Sequence, residues 1–192
     1  MARFLKKRID NKGLVPGTPV FIGNKKVDKI RIRIIDYDKS NLHEDELKNI
    51  SDGTEFKEKN TVTWINIDGL HDSDLMKEIG ETFDLHPLLI EDIMNTDQRP
   101  KLQESDNNLF LILKMFRYDE TNHTIVAEQL SLVIGKTFLL TFQELPGDVF
   151  EPVRERIRKQ KGRIRATSID YLAYALIDTV VDNYIYIIER FG

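Results

Sequence analysis

From Lys29 to Tyr37 the chain alternates charge and isoleucine (KIRIRIIDY). This period of two predicts a half-buried β-strand with Ile30, Ile32 and Ile34 turned inward. A β-branched and aromatic run, Thr61 to Asp68 (TVTWINID), predicts a second strand in which Trp64 is a core residue. Leu109 to Tyr118 and Ile125 to Gly135 predict two strands joined by the polar turn DETNH, and Thr137 to Phe142 a third, together an antiparallel meander. Thr18 to Ile22 suits a short edge strand, because Pro19 is tolerated at an edge or a strand start.

Other segments follow a helical period. Ser73 is placed to cap a helix from Asp74 to Phe83 that turns Leu75, Ile79 and Phe83 to one face. His86 precedes Pro87 at the first position of a short helix ending near Asn95, with Pro100 beyond. Gly147-Asp148 opens a helix to about Lys161, where Gly162 breaks it, and a last helix runs from about Ser168 to Arg190. Residues 1–28 read as a basic segment and a Gly/Pro loop; residues 38–60 are polar, with one helical turn around Glu44 to Asn49. There is no internal repeat and no low-complexity linker. The order predicts an α/β fold, a sheet covered by helices on its faces.

Composition narrows the function classes. Of 192 residues, 41% are hydrophobic and 31% charged, the profile of a soluble globular protein. A formal net charge of −4 disfavours nucleic acid as a partner. Cysteine is absent, which removes disulfides, thiolate zinc sites and cysteine nucleophiles, so a metal would be held by oxygen or imidazole. No apolar run reaches the roughly 18 residues of a membrane span, and the basic start, Met1 to Asp10, lacks the apolar centre of a signal peptide. As it stands the chain is expected to be soluble and cytoplasmic. His43, His71, His86 and His123 show no metal-ligand spacing, and phosphate-loop, dinucleotide and GxSxG signatures are missing. An enzyme is not expected.

Two acidic features remain. Glu91 and Asp92 fall in the last turn of HPLLIEDIMN, at the negative end of the helix dipole, where a cation is preferred. That cation is a basic side chain, Arg99 or Lys101, or a metal ion; in the plainer case one carboxylate is solvated and the other pairs with Arg99 or Lys101. Asp178 and Asp182 stand at i and i+4 in the apolar run YLAYALIDTVVDNYIYII, a like-charge spacing that costs about 0.2–0.5 kcal/mol. Asp170 and Glu189 extend the stripe, with no Lys or Arg between Thr167 and Glu189. The stripe is either the wet face of an amphipathic helix or a site for a hard cation. Oxygen ligands without thiols favour magnesium or calcium, and few carboxylates favour magnesium that keeps its waters. The basic run from Arg154 to Arg165 suits phosphate, anionic lipid or nucleic acid, or, with Asp148, Glu151 and Glu155 beside it, an ordinary solvated face.

Several strings carry a family resemblance: HPLLIEDI followed by QRPK, then GDVFEPVRERIR, and SIDYLAYALIDTVVDNY. Spanning roughly residues 62–190 in one order, they resemble the cytosolic domain of CorA magnesium transporters. The resemblance implies an α/β fold with a mixed, largely antiparallel β-sheet sandwiched between α-helices. It implies a regulatory domain over 1–166 and a C-terminal helix, 167–192, leading into a stalk that lies outside this chain. Family members are membrane homopentamers in which carboxylates between neighbouring cytosolic domains bind divalent ions and hold the channel closed. The matching residues here are Glu91, Asp92 and Asp178, with Asp182 as a neighbouring acid. The expected ion is Mg2+, or Co2+, with no organic cofactor. The expected place is the cytoplasmic side of the cell membrane, reached through transmembrane helices that this chain does not contain, and the chain alone is expected to be monomeric. The pore-mouth Gly-Met-Asn signature is also absent, which leaves Mg2+, Co2+, Ni2+ and Zn2+ open as transported ions. A free-standing interaction domain of the same fold is the alternative.

Overall fold

A computed structural model of the chain describes residues 15, 17–57, 59–105 and 107–191. The basic segment before Leu14 lies outside the described residues. One mixed sheet of seven strands runs in the order β2-β1-β3-β7-β6-β5-β4. Its strands are β1 (Arg31–Tyr37), β2 (Leu42–Leu47), β3 (Val62–Asp68), β4 (Lys101–Glu104), β5 (Leu109–Asp119), β6 (Thr124–Ile134) and β7 (Phe138–Gln143). Only β3 and β7 pair in parallel; all other neighbours are antiparallel, including the β5-β6-β7 meander. The helices are α1 (Thr54–Lys57), α2 (Ser73–Thr82), α3 (Pro87–Met94), α4 (Glu151–Arg158) and α5 (Ile169–Phe191).

The sheet is a central layer between two cores. Ile34, Ile65 and Leu140 face Ile79, Ile90 and Ile93 of α2 and α3. On the other side Ile35, Trp64 and Leu139 face Ile157 of α4 and Leu172, Leu176 and Val180 of α5. The sandwich of α-helices around a mixed sheet is therefore present, and it closes with the long C-terminal helix. No helix among the described residues is long and apolar enough to cross a membrane.

Several local expectations change. β1 is buried on both faces at its end, because Ile35 and Tyr37 enter the α4/α5 core while Ile32 and Ile34 enter the other. Glu44 to Asn49 does not form a helical turn; Glu44 to Leu47 belong to edge strand β2, whose central residues are exposed and mostly charged, as suits an edge, and Lys48 and Asn49 follow it as a bend. The short edge strand β4 pairs with β5 and was hidden by its four-residue length. Thr18 to Ile22 forms no strand: Ile22 makes a single bridge to Asn95, with its N–H on Met94 O at 3.0 Å. In α2 the cap is Asp72, whose side chain accepts from the N–H groups of Asp74 and Leu75, and Ser73 is already helical. α4 starts at Glu151, because Gly147 adopts φ +97° and Asp148 turns back to accept Phe150 N–H at 3.0 Å.

That turn completes a buried polar circuit beneath α4. Trp64 Nε1 donates to Thr141 Oγ1 (2.9 Å), Thr141 to Asn66 Oδ1 (2.8 Å), and Asn66 Nδ2 to Asp68 Oδ1 (2.7 Å). Arg31 binds Asp68 Oδ2 at 2.7 Å, and Arg33 bridges Asp68 to Asp148 at 3.4 and 3.1 Å. Asp148 takes a two-bond fork from Arg154 (2.7 and 2.6 Å), whose guanidinium lies 4.8 Å over the Trp64 ring. Trp64 is thus core, as its strand position predicts, and also an end of this circuit.

Candidate functional site

α3 is short because Pro87 supplies its first turn and His86 its cap, the His86 Nδ1 accepting Leu88 N–H at 3.2 Å. Leu89, Ile90, Ile93 and Met94 are buried against the sheet. Glu91 and Asp92 stand together on the half-buried remainder of the helix. Glu91 Oε2 accepts the backbone N–H of Gly17 at 2.8 Å. Asp92 Oδ1 accepts from Gln98 Nε2 at 2.7 Å, and Oδ2 pairs with Lys101. Of the two basic candidates, Lys101 is the partner. Glu91 is not merely solvated: it ties the N-terminal strap to α3.

Asp178 and Asp182 are exposed on α5. Tyr174 OH approaches Asp178 Oδ1 at 3.5 Å, and Asp182 has no partner among the described residues. Both line a shallow hollow of about 370 Å3 between α4 and α5, together with Asn183, Tyr186 and Arg156. Arg156, which comes from the neighbouring helix, shares this hollow without pairing with either aspartate among the described residues; it donates to Tyr171 OH at 3.1 Å.

The structure joins Glu91 to Asp92 and Asp178 to Asp182, but it does not join the pairs. α3 and α5 cover opposite faces of the sheet. Among the described residues no three His, Asp or Glu side chains stand where they could hold one metal ion. The donor set nevertheless suits a hard, hydrated cation. Each half offers carboxylate oxygens, and among the described residues Glu91 Oε1 accepts no hydrogen bond while Oε2 holds Gly17. Magnesium prefers one or two carboxylates and retains waters, and α3 directs its carbonyl end at this pair.

The basic run is engaged inside the chain. Arg154 binds Asp148, Arg158 binds Glu44 at 2.6 Å, and Arg165 donates to the carbonyls of Asp38 and Asn41. Those acceptors lie more than a hundred residues upstream of Arg158 and Arg165, which is why spacing alone left the run open.

A family model described as "CorA-like Mg2+ transporter protein" matches residues 59–191. The cobalt/magnesium transport protein CorA of Thermotoga maritima is 44% identical over 186 residues, 96% of this chain and 53% of that protein. This chain thus spans about half the length of that relative. Among solved structures, the soluble domain of CorA from Methanocaldococcus jannaschii has a TM-score of 0.56 at 16% identity, covering 82% of this chain and 59% of that one. The cytoplasmic domain of ZntB from Vibrio parahaemolyticus has a TM-score of 0.57 at 16% identity, covering 83% and 63%. At these identities the structural likeness establishes the fold alone.

Proposed function

This chain belongs to the CorA-like Mg2+ transporter family, and we propose that it is the divalent-cation-sensing domain of such a transporter, acting at the cytoplasmic side of the membrane. The observation that carries this reading is the outward placement of two carboxylate pairs on opposite layers of one sandwich. Neither half completes a metal site among the described residues. Each can be completed by carboxylates from a second copy, or from chain beyond residue 192. The matched relative's name, cobalt/magnesium transport protein, supports Mg2+ or Co2+ as the ion, and the residue chemistry supports Mg2+ first.

The domain acts by charge. With magnesium between facing carboxylates, copies are held together in a homopentamer and the pore is closed. When the ion leaves, Glu91, Asp92, Asp178 and Asp182 repel the acids they face, and the interface loosens. The ion shifts this equilibrium only through its tighter binding to the closed arrangement. Lys101 is a built-in competitor, since the ion must share or take Asp92 from it. No residue in this scheme is asked to act as a nucleophile or general base.

In the complete transporter, Asp92→Asn with Asp178→Asn is expected to abolish most of the protection against proteolysis that magnesium confers. Equal protection of the parent and the double variant would refute the sensing role. Lys101→Ala should move the protective magnesium concentration down by roughly two- to fivefold, the size of a part-exposed ion pair.

A further inference from the structure

Before it reaches β1 the chain runs along α3 as a strap. Val15 O accepts Thr18 N–H at 3.1 Å and Thr18 Oγ1 at 2.7 Å, closing a tight turn. Gly17 is the third residue of that turn, at φ +84°, a conformation that a type II turn needs there and that favours glycine. A Cβ on Gly17 would stand 3.0 Å from Pro87 Cβ, so this backbone lies directly on the first turn of α3. Pro87 and Glu91 are i and i+4, one above the other on the same face of the helix. The Gly17 N–H therefore reaches Glu91 Oε2, at 2.8 Å. Further on, Ile22 N–H donates to Met94 O and Ile22 O accepts Thr96 N–H, both at 3.0 Å. The strap is pinned at both ends of α3, and Glu91 is the α3 side chain that bonds to it among the described residues.

The two carboxylates of the pair are held in different ways. Asp92 is engaged through both oxygens, one of them by the Lys101 ammonium, which opposes its charge. Glu91 is held through one oxygen by a neutral backbone N–H, and its charge meets no cationic side chain among the described residues. A carboxylate fixed on one side and open on the other is ordered before a cation arrives. The cation is then spared the ordering of a long, flexible side chain. Donors that orient a metal-ligating carboxylate from behind strengthen metal binding in this way.

We propose that Gly17 is a positioning residue for the divalent-cation site: its N–H fixes the Glu91 carboxylate through Oε2 and leaves Oε1 to the ion. This rests on the sensing role proposed for Glu91. Gly17 itself does not touch the ion and acts only through that side chain. The coupling is reciprocal: by whatever factor the strap contact strengthens ion binding, the ion strengthens the strap contact. Glycine is required at this position twice over, by the left-handed φ and by the close approach to Pro87.

The test measures, in the complete transporter, the magnesium concentration that gives half-maximal protection against proteolysis. Gly17→Ala should raise it by about threefold to tenfold, the size of one lost hydrogen bond. Glu91→Ala should raise it as well. In the Glu91→Ala background Gly17→Ala should add less than about twofold, because its effect passes through the carboxylate. A role in folding alone adds the same factor in both backgrounds. A second readout leaves Gly17 in place: with saturating magnesium, hydrogen exchange of the Gly17 amide should slow by about threefold or more in the parent and not in Glu91→Ala. The proposal is overturned if Gly17→Ala leaves the midpoint unchanged or lowers it, if its factor is equal in the two backgrounds, or if exchange at Gly17 ignores magnesium. Failure of the sensing role itself is distinguishable, because protection is then unchanged in Asp92→Asn with Asp178→Asn as well.

Discussion

Unfolded by urea at pH 7, a chain carrying Asp148→Ala is expected to be about 3–5 kcal/mol less stable than its parent. The reason lies in what the substitution leaves behind. Asp148 is buried between Arg154, which grips it through two bonds, and Arg33, which also reaches Asp68. Arg154 itself is only 3% exposed. Removing the carboxylate strands this guanidinium against Trp64, with only a 3.6 Å approach to Glu151 in compensation. The Asx turn that starts α4 is lost as well.

The same circuit sets an acid limit. Burial raises the Asp148 pKa, but the Arg154 hydrogen bonds and charge outweigh it, and the folded value lies below the ordinary 3.8. A depressed carboxylate contributes its stability above the unfolded pKa and loses it as pH falls through the folded one. The parent should therefore lose stability below about pH 4 more steeply than Asp148→Ala does. Replacing both partners, Asp148→Leu with Arg154→Met, should recover much of the loss, because neither charge is then left alone. A single-variant cost below about 1 kcal/mol would show that Arg154 finds another partner or solvent.

Much of this architecture is visible along the chain because the main cores are built from regular runs. β1, β3, β5, β6, β7, α2, α3 and α5 all lie where periodicity places them. β2 and β4 escape for a shared reason: edge strands bury little, so LHEDEL and KLQE have no hydrophobic phase to follow. The acidic pairs were legible as residues, and helix spacing predicts that each pair shares a surface. Their separation onto opposite layers was not legible, since it depends on how chain order maps onto the sheet. Gly17 against Glu91 and Arg156 beside Asp178 are tertiary meetings with no local signal. One signal was present but carried no motif: Glu128 is the single charge in the run TIVAEQLSLVIG.

Glu128→Gln is expected to stabilise the chain by about 3 kcal/mol at pH 8 and to change little at pH 4. Glu128 faces the α5 side of the sheet, in register with Met115 on β5, and is 1% exposed. Neither carboxylate oxygen accepts a well-formed hydrogen bond among the described residues, and the Leu145 backbone N–H supports the charge only weakly. Arg117 on β5 stands 3.4 Å away, but its guanidinium donates to the carbonyls of Pro146 and Gly147. Glu144, beyond β7, adds a second negative charge that is shared with Lys26 at 2.7 Å and with Gln129 N–H at 2.9 Å. Burial pushes the Glu128 pKa from 4.5 up to about 7; Arg117 and Lys26 oppose this and Glu144 assists it. The folded chain therefore holds this proton more tightly than the unfolded chain, and stability falls as pH rises from about 4.5 to about 7, then levels off. The decisive measurement is the difference in unfolding free energy between Glu128→Gln and its parent as a function of pH. It should be flat below pH 4.5, grow through neutrality and reach a plateau; a difference independent of pH would remove Glu128 as its source. Because Glu144 assists the shift, Glu144→Gln should bring the midpoint of this curve down. Glu144 also accepts Gln129 N–H, and Gln129 Nε2 donates to Ile93 O at 3.2 Å in the last turn of α3. The charge on Glu128 is thus felt by Glu144, which two consecutive hydrogen bonds connect to the helix that carries Glu91 and Asp92. If that link transmits, Glu128→Gln will also alter the pH dependence of magnesium protection in the complete transporter, while leaving the protection itself intact at pH 6.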